Sequence, residues 1–171
     1  MKTELVELSV STRHGEFVAR YSERGLAQLS FPNNHAEKQS HRSKSDRRSA
    51  IGNRQLKTWH HATEAALENI LSGRDAKTLP PLDWNGATDF QKSVWRQMLK
   101  ISAGKTKSYG EIATAINNPK AVRAVGGACG ANPIPVLVPC HRVLAANKKI
   151  GGFSGGMEWK RKLLKAEGVQ F

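Results

Sequence analysis

The sequence predicts an α+β protein in which a small antiparallel sheet and one long helix precede a mostly helical unit. Three observations carry that expectation. Apolar residues alternate or cluster in short stretches set off by Gly15 and Gly25; from Asn53 their spacing becomes helical; and an irregular stretch with two prolines and Trp84, Leu79 to Gly86, separates the first helix from the later ones. The division drawn from these shifts is residues 1–80, a connector at 81–87, and residues 88–171.

Leu5 to Ser11, Glu16 to Tyr21 and Leu26 to Phe31 are the expected strands of a meander. From Pro32 to Ala50 the apolar residues disappear, and two Asn, four Ser and many Lys, Arg and His take their place. That composition suits a mobile loop, and a solvated loop without a role fits it better than a DNA-facing one. In Asn53 to Leu71 the positions Leu56, Trp59, Thr63, Ala66, Leu67 and Ile70 recur with a helical period, and Gly73 supplies a stop.

Past the connector, Asp89 is placed to cap a helix carrying Phe90, Val94, Trp95, Met98, Leu99 and Ile101 on one side and ending near Gly104. Ser108 caps the next, Tyr109 to Ile116. Asn117, Asn118 and Pro119 break it, and Pro119 suits the first turn of a helix through Ala121, Val122, Ala124, Val125 and Ala128. Two short helices so joined form a helix-turn-helix candidate. The small residues of the second, with Arg123 as its one internal charge, suit close packing in a core or close approach to a DNA groove, and the core is the commoner outcome. Val136 to Val138 reads as a short strand. Met157 to Glu167 reads as a last helix with Trp159, Leu163 and Leu164 inward and Lys160, Arg161, Lys162 and Lys165 outward.

A hydrophobic fraction of 39% permits a real core, and no apolar run approaches the roughly 20 residues that span a bilayer. Only two cysteines occur, Cys129 and Cys140, in unequal settings and without a secretory leader, so both thiols are expected to be reduced and intracellular. The formal charge of +13 is uneven: residues 1–87 hold 13 Lys and Arg against 10 acids, and residues 88–171 hold 14 against 4. Such a balance serves solubility or a polyanionic partner about equally, and the motifs must decide.

The chemistry-bearing residues gather late in the chain. The expected strand delivers Pro139, Cys140, His141 and Arg142 to its end, and a thiol becomes a useful nucleophile beside a base or cation. His141 serves Cys140 only if the chain turns there or a water relays the proton, because neighbours on an extended chain point apart. A buried cysteine beside a chance histidine is the bland alternative. Metal is not expected: Cys129 and Cys140 lack ligand-pair spacing, and His14, His35, His41, His60 and His61 read as structural or solvated. The glycine-rich Gly151 to Gly156, with Phe153 and Ser154, lets backbone approach a planar ligand but lacks the Lys of a phosphate-binding loop, so no nucleotide cofactor is expected.

Arg123-Ala-Val-Gly-Gly-Ala, Asn132-Pro133, Pro139-Cys140-His141-Arg142-Val143 and Gly152-Phe153-Ser154-Gly155-Gly156 together resemble the O6-alkylguanine-DNA alkyltransferases, densely from Phe90 to Gly168. The resemblance implies a ribonuclease H-like amino-terminal domain before a winged-helix-like one. It implies irreversible, single-turnover transfer of an alkyl group from O6 of guanine, or O4 of thymine, to Cys140, without a cofactor. His141, through a water, would take the thiol proton, Glu167 would orient His141, and Tyr109 would donate to the guanine ring. Asn132, Pro135, Val143, Phe153, Ser154 and Gly155 would form the pocket, with Ser154 bonding the O6 leaving atom. Arg123 would fill the place of the flipped nucleotide, and Tyr109, Ala124, Gly126 and Arg142 would join it at the DNA, which overturns the core reading of that helix.

The implied partner is double-stranded DNA containing alkylated guanine, met by a monomer with no membrane association. The implied compartment is the cytoplasm of a prokaryote or the nucleus of a eukaryote. Two positions depart from the family. No cysteine precedes residue 129, so the amino-terminal zinc site of some relatives is not expected, and Phe153 stands where tyrosine is frequent. The rival readings are an alkyltransferase-like protein that only flags lesions, against which Cys140 argues, and a Cys-His hydrolase.

Overall fold

The computed structural model describes residues 5–32 and 52–171, so the basic stretch expected as a loop falls, from residue 33 on, outside the described residues. Its elements are β1 (Val6–Thr12), β2 (Gly15–Ser22), β3 (Gly25–Ser30), α1 (Asn53–Leu71), α2 (Asp89–Met98), β4 (Lys107–Ser108), α3 (Tyr109–Ala115), α4 (Val122–Gly130), β5 (Val143–Leu144) and α5 (Met157–Ala166). The α+β class holds. β1, β2 and β3 form an antiparallel meander, β4 pairs with β5 in parallel, and no helix among the described residues is long and apolar enough to cross a membrane.

Alternation on β2 buries Phe17, Ala19 and Tyr21 on one face, and α1 lays Trp59, Thr63, Ala66, Leu67 and Ile70 inward. The Tyr21 hydroxyl meets the contact by donating to Thr63 Oγ1 at 2.9 Å. α1 stops as its glycine predicts: Gly73 adopts φ 78°, and a Cβ there would stand 2.0 Å from the Ala166 carbonyl oxygen, so the ends of α1 and α5 close on each other only over a glycine.

Four local expectations differ from what forms. Thr88, not Asp89, caps α2: its hydroxyl accepts from the Gln91 amide while the Gln91 side chain accepts from the Thr88 amide, and Asp89 takes the first turn, where a carboxylate suits the helix dipole. α2 ends at Met98 rather than near Gly104, because side chains capture the amides a longer helix needs. Asp75 takes that of Ala103 at 2.8 Å and Glu167 that of Gly104 at 3.3 Å.

α4 begins at Val122, not at Pro119; Asn117 turns to φ 57°, the Asn118 amide closes on the Ala113 carbonyl, and Pro119 stays in the connecting turn. Residues 136–138 are a buried turn rather than a strand. Val136 sits at φ 74°, a costly conformation for a β-branched residue, and the backbone bonds locally, Val138 N–H to Ile134 O and Cys140 N–H to Val138 O. By contrast Ser108 caps α3 as expected, with Glu111 completing the capping box.

One apolar cluster runs through both halves, from Phe17, Tyr21 and Leu67 to Trp95, Val125, Val138 and Cys140. Backbone bonds stitch the same joint: Leu26 N–H to Pro81 O at 2.8 Å and Leu29 N–H to Pro133 O at 2.9 Å. The segment that leads to Cys140 is therefore held from behind by β3.

Candidate active site

The site is built where α4 runs out. Asn132, 5% exposed, binds both limbs of the turn that follows: its amide nitrogen donates to the Val138 carbonyl at 2.9 Å and its oxygen accepts from the Ile134 amide at 3.0 Å. Four hydrogen-bonding sites on one short side chain make Asn suited to bridging a loop to itself. Pro139 then leads into a single 3-10 turn, Cys140–Arg142, closed by Arg142 N–H to Pro139 O at 3.0 Å. The chain bends at the nucleophile candidate, so Cys140 and His141 are not splayed to opposite faces of a strand.

Cys140 is 4% exposed and His141 fully buried. His141 Nε2 lies 2.9 Å from Glu167 Oε1, with neither side chain accessible to solvent. A carboxylate only accepts, so Nε2 carries the proton, and Nδ1 keeps a lone pair that meets no protein partner. Burial holds His141 below its ordinary value of 6.5 despite the opposing pull of Glu167, which keeps the ring neutral and the lone pair free. Burial likewise pushes the Cys140 thiol up, against the Asn132 amide, the Lys160 ammonium and two backbone amides that favour thiolate. For Glu167 burial opposes ionisation, but bonds from His141 and Arg142 outweigh it and lower its pKa. The resting arrangement is thus a protonated thiol, a neutral imidazole with one open nitrogen, and an ionised carboxylate behind it.

Arg142 does not reach outward. It is 3% exposed, its guanidinium grips Glu167 through Nε at 3.0 Å and Nη2 at 2.9 Å, and its Nη1 reaches Asp75 Oδ1 at 2.9 Å and the Ile101 carbonyl. The expectation that it belongs to a DNA surface is corrected, because a guanidinium buried in this fork has its donors committed to the carboxylate that faces His141. Lys160 is the second correction. Expected on the outer face of α5, it is fully buried, its ammonium donating to Val143 O at 2.8 Å and Gly152 O at 3.1 Å. Burial lowers its pKa from 10.5 to about 8. Lys160 precedes buried Leu164 by one helical turn, an i, i+4 relation that could have marked it as inward but that the basic run Lys160–Lys162 obscures.

The other expected residues divide between this centre and the surface. β4–β5 pairing sets Lys107 beside Val143 and Ser108 beside Leu144, which brings Tyr109, the first residue of α3, next to the site. The Tyr109 hydroxyl lies so near Gly151 that a Cβ there would stand 3.0 Å from it, and Tyr109 is raised by burial and by the two cysteines. Pro135 and Val143 are buried; Phe153 and Gly155 are half-buried and Ser154 is exposed on the glycine-rich loop. Arg123 and Ala124 are exposed on α4, Gly126 half-buried, and the opposite side of α4 is fixed by Trp95 Nε1–H donating to Ala128 O at 2.8 Å. No group of three or more His, Cys, Asp or Glu that could hold a metal occurs among the described residues.

Comparison with known proteins meets this geometry. The family described as "6-O-methylguanine DNA methyltransferase, DNA binding domain" matches residues 89–169. A methylated-DNA–protein-cysteine methyltransferase of Haemophilus influenzae is 50% identical over 84 residues, 49% of this chain and 47% of its own length, so the matched region spans about half of that curated relative. The crystal structure of the Mycobacterium tuberculosis OGT in complex with DNA is 33% identical, covers 93% of this chain and 90% of its own, and superposes with a TM-score of 0.69. An O6-methylguanine-DNA methyltransferase from Pyrococcus kodakaraensis is 27% identical over 97% of this chain and 100% of its own, with a TM-score of 0.63. The chain belongs to the O6-methylguanine-DNA methyltransferase family.

Proposed function

We propose that the protein repairs alkylated DNA by moving the alkyl group from O6 of guanine to Cys140, once per molecule. The observation that carries this reading is the buried Cys140–His141–Glu167 arrangement, in which one imidazole nitrogen donates to the carboxylate at 2.9 Å and the other is open to take a proton. A water between Cys140 and His141 Nδ1 relays the thiol proton to the ring. The sulfur then attacks the alkyl carbon, an S–C bond forms as the C–O6 bond breaks, and the electron pair returns to guanine. Tyr109 donates to the guanine ring nitrogen and Ser154 to O6, where charge develops. The thioether has no leaving route, so the reaction consumes the protein.

Double-stranded DNA is the partner, in keeping with the DNA-bound Mycobacterium relative and with the +10 excess of 14 basic over 4 acidic residues in 88–171. A base stacked in a duplex cannot reach a thiol that is 4% exposed, so the nucleotide must be flipped, at about a few kcal/mol of unstacking. The exposed small-residue face of α4 approaches the minor groove and Arg123 occupies the vacancy. O4 of alkylated thymine presents the same ether to the same sulfur and is a second substrate to test.

Intact-protein mass spectrometry after incubation with a duplex carrying O6-methylguanine tests the reading. One added methyl, mapped to Cys140 and absent from Cys140→Ala, is the expected result. Tight lesion binding with no mass change would replace this reading with that of a lesion-binding module.

A further inference from the structure

We infer that Phe31, contributed by the end of the amino-terminal sheet, is a specificity-setting positioning residue for the alkyl pocket. The inference rests on the activity proposed above. The glycine-rich loop of residues 151–156 is held at two points. Near its start the buried Lys160 ammonium binds the Gly152 carbonyl at 3.1 Å and ties it to Val143 at 2.8 Å, the residue that follows the Cys140–Arg142 turn.

Near its far end the loop lies directly on Phe31. A Cβ on Gly155 would stand 2.2 Å from Phe31 Cε2 and 2.8 Å from Phe153 Cε1, closer than carbon atoms approach, so only bare backbone fits there. Phe31 in turn cannot yield, because it is wedged among Phe153 at 5.8 Å, Trp159 at 5.0 Å and Phe17 at 5.6 Å between ring centroids.

Ser154 sits between the two residues that Phe31 touches, and its own side chain is exposed. The height of Phe31 above the sheet therefore sets where the Ser154 hydroxyl and the Phe153 ring stand relative to Cys140. A shorter side chain at position 31 lets the loop fall back onto the sheet and widens the space available to the group on O6. Bulky adducts gain from that room, whereas a methyl group, which needs little of it, only loses the placed hydroxyl. Phe31 touches no reacting atom; it acts through Phe153, Ser154 and Gly155.

The test measures alkyl gain at Cys140 by intact mass, with duplexes carrying O6-methylguanine or O6-benzylguanine, in wild type, Phe31→Ala, Gly155→Ala and the double variant, after denaturant melts confirm folding. Phe31→Ala raises the benzyl-to-methyl rate ratio by roughly tenfold. Gly155→Ala alone slows both reactions, and adding Phe31→Ala restores part of the loss, because the nearer of the two rings that the new Cβ strikes has gone while the Phe153 contact remains. If Phe31→Ala does not fold, Phe31→Leu gives a smaller shift of the same sign and the same rescue. Normal transfer with an unchanged ratio and no rescue would overturn this inference alone; no transfer by the wild type would overturn the proposed activity and this inference with it.

Discussion

His141 and Glu167 face each other at 2.9 Å with solvent excluded from both, which fixes the ring's tautomer and leaves a single nitrogen for chemistry. In the proposed transfer, Glu167→Gln removes the charge that stabilises the imidazolium. The expected outcome is alkyl transfer slowed on the order of 100-fold with duplex affinity retained, read by single-turnover kinetics beside a binding isotherm. Because burial keeps His141 below 6.5, the wild-type rate persists below that pH and falls only as pH drops through the lowered pKa; an inflection at or above 6.5 in the pH–rate profile contradicts the assignment. Lys160 offers a second titration. It sits at about 8 folded against 10.5 when exposed, so between those values the unfolded chain binds more protons and this residue's contribution to stability rises with pH. Urea midpoints across that window should show the wild type gaining on Lys160→Met, and a constant difference would remove the buried ammonium from the account. That Cys140 and His141 adjoin was legible from the Pro139–Val143 motif, whereas the meeting of Glu167 with His141 lies outside the motifs and was expected only from the family resemblance. Lys160 was not legible: beside Arg161 and Lys162 it reads as surface, and its burial depends on two carbonyls supplied by distant segments.

Capping decides where the short helices begin. Ser108 ties α3 to its start through a reciprocal pair with Glu111, and the next residue is Tyr109. Ser108→Ala should cost about 1 kcal/mol in urea denaturation, and the loss should slow alkyl transfer more than Thr88→Ala, which uncaps α2 by the same chemistry without a site residue beside it. Equal kinetic effects would mean that the cap serves stability alone. At this scale α1 and α5 were legible from their apolar period, and the meander from its glycine turns. The stretch 136–138 was not, since three successive apolar residues suit a strand or a buried turn alike, and only Asn132, reaching across to the Val138 carbonyl, makes the turn. The start of α4 shows the same limit: Pro119 tolerates a first turn, but Asn117 closes α3 in a way that leaves the proline outside.

The molecule as a whole is joined by more than a connector. β3 bonds to Pro133, Asp75 after α1 pairs with Arg142, and one apolar cluster passes through both halves. The expected consequence is a single unfolding transition, with far-ultraviolet dichroism and the fluorescence of the buried Trp95 and Trp159 giving coincident urea curves; separated curves would show two units folding independently. This joint was invisible in the sequence, where the composition break near residue 80 suggests separation, because a contact between Leu29 and Pro133 leaves no periodic trace. Placing Cys140 within the shared core has a further consequence under the proposed single-use transfer. Peroxides and adventitious electrophiles react with accessible thiolates, and this sulfur is 4% exposed and held by burial in its protonated form. On the proposed mechanism, the single dose of reactivity each molecule carries is thereby shielded from casual expenditure, so that encounters with damage rather than ambient oxidants set its working lifetime.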